Sequence, residues 1–422
     1  MEIRIPYGNS YITAHIPDHI AVDIIDLPQI PAAPHPTAVV RNALADLLGE
    51  FFWSDFKEAQ SVAIAINDKT RPVPHQILLP PLLDQLDALG IPEEVVHFYI
   101  AVGTHPPMFP EEFSAILPVD ILARYKVVSH DSENQLGLTL LGNTSRGTPV
   151  WINRGFYQSD LKIVVGNIEP HQFVGFSGGV KTAAVGLAGL ETINCNHTLM
   201  SHPDSQLGNY ETNLARQDIE EIGQMISVDL ALNAILNDHK EIVHALAGDP
   251  LAVMAAGIPI SRQVSQVPVQ RTYGLVISSP GGHPKDINVY QSQKALASAV
   301  RITRPGGTVI LTAACPDGSG SSHYQDWIIG KESYAEVLET YQAEGFRIGP
   351  HKAFQFARDT AQTRLMFYSD MEAELAQSLL LNPVPNFQAA LNTALEELQP
   401  GDRVAVLPHA TSTIPYLDII ET

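Results

Sequence analysis

The stretch "LKIVVGNIEPH", residues 161–171, joins a run of strand-forming apolar residues to a polar end that closes on His171. A short apolar run bounded by turn residues is typical of a strand buried on both faces of a sheet. Five more stretches have the same form: "SVAIAIND" (61–68), "VVHFYIAVGTH" (95–105), "TYGLVISSPGG" (272–282), "GGTVILTAA" (306–314) and "DRVAVLPHA" (402–410). Together they predict the strands of largely parallel sheets.

Helical patterns separate the predicted strands. They are "PHQILLPPLLDQLDALG" (74–90), "NLARQDIEEIGQMI" (213–226), "QSQKALASAVRIT" (291–303), "KESYAEVLETYQAEG" (331–345) and "NFQAALNTALEEL" (386–398). Strands that alternate with helices form βαβ units, so the predicted fold class is α/β with helices on both faces of the sheet. Ligands of such folds bind beyond the carboxyl ends of the strands, where Asp68, His105 and His171 each close an apolar run.

The length of the chain predicts more than one domain, because 422 residues exceed what one ordinary core holds. The segment "SRQVSQVPVQRTY" (261–273) is polar and lacks clear periodicity, so we expect a boundary there. This gives two α/β domains, residues 1–265 and 270–405, with the active site in the cleft between them. The tail, residues 408–422, can return to either domain, and we expect it to pack on the first.

The charge balance excludes some partners. The chain carries 25 Lys and Arg against 46 Asp and Glu, a net charge of −21, whereas nucleic acids and anionic membranes bind clustered basic residues. Two cysteines, Cys195 and Cys315, are too few for a disulfide framework. The sequence shows no export signal and no uninterrupted apolar run of about 18 residues. We therefore expect a cytoplasmic protein that binds a small molecule, with no nucleic acid or membrane as partner.

Two strand ends carry ionisable groups. In "NDKTRP" (67–72), Arg71 can clamp a carboxylate or phosphate with two hydrogen bonds, although a capping Asp68 beside a surface Arg71 is the commoner arrangement. In "AVGTHPP" (101–107), His105 precedes two prolines that prevent a helix from continuing back through it. A lone histidine at a strand end is more often structural than catalytic. Neither stretch decides a function alone.

A third stretch combines a histidine, a glycine turn and a lysine. "EPHQFVGFSGGVKTAAVGLAG" (169–189) contains His171, the turn Ser177-Gly178-Gly179 and Lys181. The glycines favour a phosphate-binding turn, yet the spacing matches neither a P-loop nor a dinucleotide-binding fingerprint. A further histidine ends "ETINCNH" (191–197), too far along the chain to share one helix face with His171.

The fourth stretch is "SSPGGHPKDINVYQSQKAL" (278–296), a strand end, a Gly-rich turn and the start of a helix. Gln291 and Lys294 are three residues apart and therefore share a helix face. A tight turn and a solvated lysine explain this stretch by itself. Taken together, however, the loops supply three His, two Lys, one Arg and one Asp in a fold class that gathers strand ends around one cleft, which favours a functional site.

These motifs resemble, in order and spacing, those of the nickel-dependent lactate racemase family. They are "NDKTRP", "GTH", "EPH…FSGGVK", "NH" and "DINVYQSQKAL", and the resemblance is strongest over about residues 60–300. It implies an isomerase, a racemase or epimerase of a 2-hydroxy acid such as lactate. The reaction it implies is reversible hydride transfer to a nickel pincer nucleotide, a cofactor of the pyridinium-3,5-bisthiocarboxylic acid mononucleotide type. The first domain then binds the cofactor and the second contributes substrate contacts.

The resemblance also implies a role for each motif residue. His105 and His171 are the catalytic acid/base pair, His197 is the metal ligand, and Lys181 carries the covalent tether to the cofactor. The other implied cofactor-binding residues are Asp68, Ser177, Gly178 and Gly179. The implied substrate-binding residues are Arg71, Tyr290, Gln291 and Lys294.

The implied chemistry suits these residue types. The Cα hydrogen of a 2-hydroxy acid is barely acidic, so it is removed as hydride while a histidine takes the hydroxyl proton. The product is a planar 2-keto acid that can be reduced on either face. One base for each enantiomer explains the two histidines, and imidazole suits nickel as a ligand. The proteins that build the cofactor are possible partners.

Three features depart from the family pattern: Pro106 and Pro107 follow the "GTH" histidine in place of Arg, Val180 stands where Arg is frequent, and Phe354 or Phe356 takes the place of a pocket tryptophan. These departures leave a different 2-hydroxy acid open as the substrate, namely malate, an aromatic analogue or an aldonate.

Two alternatives belong to other functional classes. One is a zinc hydrolase that uses His105, His171 and His197 as a three-His site, although the spacing typical of such motifs is absent. The other is a non-catalytic protein that binds or carries the cofactor. Such a protein would be indifferent to the loss of His105 and His171, because a carrier has no use for two bases.

Overall fold

The structure is a computed structural model that describes residues 1–418. The chain forms two compact units. The central unit runs from Gln29 to Val264, and the terminal unit consists of Met1–Pro28 together with the chain from Ser265 onward. Within the described residues, no helix is both long and apolar enough to cross a lipid bilayer.

The first strands of the chain belong to the terminal unit and are β1 (Glu2–Tyr7), β2 (Ser10–His15) and β3 (Val22–Ile24). The strands that follow, in the central unit, are β4 (Val62–Asn67), β5 (Val96–Ala101), β6 (Lys126–Ser129), β7 (Leu138–Asn143), β8 (Pro149–Asn153), β9 (Leu161–Asn167), β10 (Pro170–His171), β11 (Gly175–Phe176), β12 (Leu230–Leu236) and β13 (Ile242–Gly248). The helices up to the unit boundary are α1 (Pro36–Ala45), α2 (His75–Ala88), α3 (Val119–Arg124), α4 (Arg154–Tyr157), α5 (Lys181–Ala184), α6 (Leu190–Thr198), α7 (Leu214–Ile226) and α8 (Pro250–Ser265). Short 3₁₀ helices lie at Trp53–Phe56, Glu93–Val95, Pro110–Ala115, Gln135–Gly137 and Leu199–Ser201.

A six-stranded sheet organises the central unit, in the order β13-β12-β9-β4-β5-β6. The five strands from β12 to β6 run parallel, and β13 pairs antiparallel with β12 at one edge. All seven residues of β9 are buried, as expected for a strand covered on both faces. Parallel strands place their carboxyl ends at one edge, so the loops after β4, β5 and β9 lie together there.

The remaining strands, in the terminal unit, are β14 (Gln266–Val269), β15 (Tyr273–Ser278), β16 (Thr303–Thr312), β17 (Arg364–Tyr368), β18 (Val404–Leu407) and β19 (Ile414–Leu417). Its helices are α9 (Val289–Val300), α10 (Ser322–Ile328), α11 (Tyr334–Glu344), α12 (Pro350–Thr360), α13 (Ala373–Ser378) and α14 (Phe387–Glu396). Its five-stranded sheet has the order β17-β16-β15-β18-β3, and every pair in it is parallel.

The predicted fold class is confirmed, since both main sheets are largely parallel and alternate with helices along the chain. Each of the six predicted strands and five predicted helices has a counterpart within a few residues. The apolar runs predicted the strands correctly, because a strand that is buried on both faces requires an uninterrupted apolar sequence.

The two compact units divide the chain differently from the expected domains, because the first 28 residues group with the terminal unit. β3 extends the terminal unit's sheet by pairing with β18, and Ile25 donates its N–H to the Val406 carbonyl at 2.8 Å. Arg403 binds the Asp23 carboxylate with its Nε at 2.9 Å. A three-residue edge strand has no periodicity of its own, so only its distant partner identifies it.

Of the two placements open to the tail, its described residues take the one within the terminal unit. β19 pairs in parallel with β14, and both belong to the terminal unit. Residues 419–422 of the predicted tail lie outside the described part of the chain.

Candidate active site

One pocket lies at the carboxyl edge of the central sheet, and residues that follow β4, β5 and β9 line it. Eight residues singled out from the sequence line this pocket: Asp68, Arg71, His105, His171, Ser177, Gly178, Lys181 and His197. Three loops and the helix α6, far apart in sequence, therefore meet where parallel strands end, as expected for an α/β sheet.

Asp68 and His105 are in contact just beyond the carboxyl ends of the neighbouring strands β4 and β5. The Asp68 Oδ2 atom lies 2.7 Å from Nδ1 of His105. The Thr70 hydroxyl and N–H both donate to the other carboxylate oxygen, at 2.6 and 3.1 Å. Burial by itself raises the pKa of Asp68, but the hydrogen bonds from His105 and Thr70 outweigh burial and lower it. Asp68 is therefore a carboxylate that orients His105, and it does not cap α2, which begins at His75.

His171 belongs to the short strand β10, which forms a hairpin with β11. In this hairpin His171 pairs with Gly175. The ring of Phe173 packs edge-on against His171, with ring centres 5.1 Å apart. The same Phe173 ring lies 4.7 Å from that of His197. One buried aromatic ring thus packs against both imidazoles.

Lys181 is the first residue of α5, and its side chain lines the pocket. Burial, together with the positive charges of Arg71 and Arg216, lowers the pKa of Lys181 to about 7. Glu169 and Asp68 oppose this shift with their negative charges. Near neutral pH a large fraction of this amine is therefore unprotonated, which is the form that acts as a nucleophile.

His197 is held near the end of α6, with its side chain on the pocket wall. Burial lowers the pKa of His197 to about 3, and the charge of Lys181 acts in the same direction. The neighbouring Asn196 is fully buried and donates to the Ala215 carbonyl at 3.0 Å and to Asp218 at 2.9 Å. These bonds anchor α6 to α7, so His197 is a fixed and neutral imidazole.

The Ser-Gly-Gly turn has a different geometry from a phosphate cradle built of backbone amides. The N–H of Ser177 donates to the Glu169 carbonyl at 2.7 Å, and that of Gly179 donates to Asn233 Oδ1 at 2.7 Å. These two amides are engaged within the protein. The Ser177 hydroxyl, in contrast, is buried and has no hydrogen-bond partner among the described residues, so it is the group of this turn that is available to a ligand.

Backbone conformation explains the two glycines. Gly178 has φ +97° and Gly179 has φ +56°, conformations that side chains disfavour. A Cβ on Gly178 would lie 2.8 Å from Cγ1 of Ile168, and one on Gly179 would lie 2.7 Å from Cγ of Met254. The glycines are required by the turn itself.

Tyr290, Gln291 and Lys294 lie on α9 in the terminal unit and do not line the pocket of the central unit. The Asn288 side chain caps the helix by accepting the Gln291 N–H at 2.9 Å. The Tyr290 hydroxyl lies 3.1 Å from Nε2 of His351 on α12. Burial raises the pKa of Tyr290 to about 12, so its hydroxyl keeps its proton.

Phe354 and Phe356, the two candidates for the pocket aromatic, are both buried on α12. Phe354 stacks on Tyr341 with ring centres 4.7 Å apart. Phe356 is fully buried and stacks with Tyr324.

Sequence analysis missed several residues of the site. Glu169 lines the pocket, Phe173 contacts two of its histidines, and Arg216 bonds to the Ser-Gly-Gly turn from α7. Glu169 and Phe173 lie within two residues of His171, so their closeness to that motif was a usable signal. Arg216 lies in a helical stretch with no such signal.

The zinc hydrolase alternative requires three metal ligands to converge. His105, His171 and His197 line the same pocket. Across residues 1–418, however, no group of three or more His, Cys, Asp or Glu side chains is arranged to hold a metal ion.

The chain is similar to known proteins over nearly its full length. The lactate racemase N-terminal domain family matches residues 7–208, and the lactate racemase C-terminal domain family matches residues 269–414. Lactate racemases from Thermoanaerobacterium thermosaccharolyticum and Lactiplantibacillus plantarum are each 27% identical to it, over 98% of this chain and 98% and 99% of their own lengths.

Solved structures agree with this similarity. The lactate racemase apoprotein from T. thermosaccharolyticum superposes with a TM-score of 0.89 at 27% identity, covering 98% of this chain and all of that one. A protein from Thermotoga maritima shares the fold at 16% identity, with a TM-score of 0.64 over 93% of this chain.

The fold and these relatives define the chain as an isomerase, specifically a racemase built on two α/β units. It belongs to the lactate racemase family, which is nickel-dependent.

Proposed function

We propose that this chain interconverts the enantiomers of lactate or of a closely related 2-hydroxy acid, using a nickel pincer nucleotide tethered to Lys181. The observation that carries the proposal is that Lys181 and His197 line the same pocket as His105 and His171. When bound, the cofactor would supply a reversible hydride acceptor. The residues of the chain would bind the cofactor and the substrate and move the hydroxyl proton.

The chemistry of Lys181 fits a covalent tether. The tether would form by attack of the amine on a thiocarboxylic acid carbon of the cofactor, with loss of water to leave a thioamide. This step requires the unprotonated amine, and a pKa of about 7 provides it at neutral pH. The buried Ser177 hydroxyl beside this lysine supports a polar ligand at the same place, since buried polar groups need partners.

His197 fits the role of a nickel ligand. Metal ligation uses a ring-nitrogen lone pair, so a histidine with a pKa of about 3 is ready to bind without losing a proton. Nickel is among the metals that imidazole binds well. The anchoring of Asn196 to Asp218 holds α6 in place beneath this ring.

His105 and His171 fit the role of paired acid and base. Asp68 occupies Nδ1 of His105, which leaves Nε2 for the substrate hydroxyl. Phe173 holds the ring of His171 against rotation. Each histidine would take the hydroxyl proton when one enantiomer is oxidised and give a proton to the 2-keto acid when that same enantiomer is re-formed, so a complete racemisation uses both.

Arg71, Tyr290, Gln291 and Lys294 are proposed to bind the substrate. Arg71 lines the pocket of the central unit and suits a carboxylate, because its guanidinium offers two parallel donors. The other three share the first turns of α9, where Tyr290 and Lys294 are four residues apart on one face. This set favours a small anionic substrate.

The deciding experiment produces the chain together with the proteins that build the cofactor. We expect nickel in the purified protein, an added mass on Lys181, and racemisation of both L- and D-lactate. Lactate labelled with deuterium at Cα should keep most of its label in ordinary water, because hydride transfer does not exchange with solvent. A Lys181→Arg variant should lack the adduct.

Complete loss of the deuterium label to solvent would rule out hydride transfer. Racemisation of malate, an aromatic 2-hydroxy acid or an aldonate in place of lactate would keep the reaction and correct the substrate. Full activity with zinc and no adduct would revive the hydrolase alternative.

A further inference from the structure

Arg216 lies at the start of α7 as one of the largest fully buried side chains of the described chain, with 1% of its surface exposed. Its Nη1 donates to the Phe176 carbonyl at 3.0 Å and its Nη2 to the Gly178 carbonyl at 3.1 Å. Its Nε donates to Glu220 at 2.7 Å. The guanidinium therefore ties α7 to the turn that leads into Lys181.

This arrangement is costly on general grounds. A cation in the first turn of a helix faces the positive end of the helix dipole, and burial of a charge is unfavourable unless it is fully paired. Glu220, one turn further along, pairs with the guanidinium. The Phe176 and Gly178 carbonyls accept two further N–H groups of the guanidinium, at the end of β11 and in the Ser-Gly-Gly turn.

The N-terminal end of α7 also binds the backbone of residue 173, upstream of the turn. The N-cap Asn213 accepts the Arg216 N–H at 3.0 Å and donates to the Phe173 carbonyl at 2.7 Å. Phe173 contacts the rings of both His171 and His197. The buried side chains of Asn213 and Arg216, at the start of α7, thus donate hydrogen bonds to three backbone carbonyls between residues 173 and 178.

We infer that Arg216 is a positioning residue whose guanidinium fixes the Phe176–Gly178 turn and thereby directs Lys181 into the pocket for covalent attachment of the cofactor. The inference rests on the proposed function for the attachment itself. The fixing of the turn does not depend on that proposal. The close packing agrees with it, because a Cβ on Gly179 would lie 3.2 Å from Nη2 of Arg216.

The test compares the parent chain with Arg216→Gln, which loses the charge and the forked donor, and with Arg216→Lys, which keeps the charge. Arg262→Gln is the matched control, because Arg262 faces the ring of Phe176 and pairs with Glu211 without bonding to the turn. Amide hydrogen exchange of residues 175–181 is measured without cofactor. The fraction of Lys181 carrying the adduct is measured by mass after production with the cofactor-building proteins.

We expect Arg216→Gln to lose about tenfold in protection at residues 175–181, with β4 unchanged, and to lose a similar factor in adduct fraction. Arg216→Lys should recover part of both, because an ammonium can reach one carbonyl. Arg262→Gln should match the parent. A merely structural role would lower protection across the central unit and would not be rescued by lysine.

Parent-like protection of residues 175–181 in either folded Arg216 variant would overturn the inference. If Arg216→Gln does not fold, Arg216→Lys decides, and intermediate protection supports the inference. An absent adduct in the parent would refute the tether in the proposed function, yet the exchange measurement would still decide the role of Arg216.

Discussion

The Asp68 carboxylate lies 2.7 Å from Nδ1 of His105, although the two residues belong to loops after different strands. The Asp68 side chain is buried, while half of the His105 side chain is exposed. The carboxylate therefore holds the imidazole from the protein side, and the rest of the imidazole ring is accessible. A carboxylate at Nδ1 fixes the orientation and tautomer of an imidazole and stabilises its protonated form. This geometry is the one that the proposed role of His105 in proton transfer requires.

We predict that Asp68→Asn lowers kcat for racemisation by roughly 10- to 100-fold with a smaller change in KM. The amide keeps the shape of the side chain but cannot stabilise a protonated His105. Steady-state kinetics in both directions provide the check. Asp84→Asn, which removes an exposed partner of Arg41 in the same unit, should leave both constants unchanged. An unchanged kcat in Asp68→Asn would remove the orienting role.

The two histidines should be separately essential. We predict that His105→Gln and His171→Gln each lower racemisation by about 100-fold or more in both directions, because a complete turnover uses both groups. Adduct formation on Lys181 should persist in both variants. His202→Gln, at a position outside the pocket, is the control. Parent-like racemisation in the two variants would instead favour a cofactor carrier.

Acid should destabilise the chain through its buried histidines. His75 is 1% exposed, its Nδ1 lies 3.0 Å from the Ile116 carbonyl, and burial lowers its pKa from 6.5 to about 4. Between these two values the unfolded chain binds a proton that the folded chain does not, so stability falls as the pH drops from 6.5 towards 4.

The contribution of His75 to this loss should be about 2 kcal/mol between pH 7 and pH 5. Denaturant unfolding at the two pH values should therefore show a smaller pH effect in His75→Gln than in the parent. His202→Gln should keep the pH effect of the parent. An identical pH effect in His75→Gln and the parent would show that His75 is protonated in the folded chain.

Glycine 178 should be required for both conformation and space. We predict that Gly178→Ala lowers the free energy of unfolding by about 2–4 kcal/mol, because φ is +97° and the new Cβ would lie 2.8 Å from Ile168. Gly90→Ala is the matched control, with φ +78° and no atom within 4 Å of its Cβ, and should lose about 1 kcal/mol. Equal losses measured by denaturant unfolding would show that the clash is relieved.

The sequence predicted those features of this protein that depend on neighbouring residues along the chain. The runs at 61–68 and 161–171 identified strands buried on both faces, and the position of Asp68, His105 and His171 at strand ends predicted that they would gather at one edge. Resemblance to a family then selected Lys181 and His197 among many polar residues. The predictions of the strands and of their common edge were confirmed, because a parallel sheet imposes both its composition and the direction of its strand ends. The roles of Lys181 and His197 stay predictions.

Other features depended on contacts between distant residues. The strand β3 is recognisable only from its pairing with β18. This pairing is one reason why the first 28 residues belong to the terminal unit. Arg216 gave no signal within its own helix, and the engaged amides of Ser177 and Gly179 could not be read from a glycine pattern.

The sequence by itself determined the α/β class, the order of the strands along the chain and which loops carry reactive groups. The spatial arrangement, in contrast, became visible only in the folded chain: the Asp68 carboxylate lies at Nδ1 of His105, Phe173 contacts the rings of two histidines, and the surroundings of Lys181 lower its pKa to about 7. The reason is physical: desolvation and hydrogen bonding act through space, and the residues responsible lie on separate strands and helices.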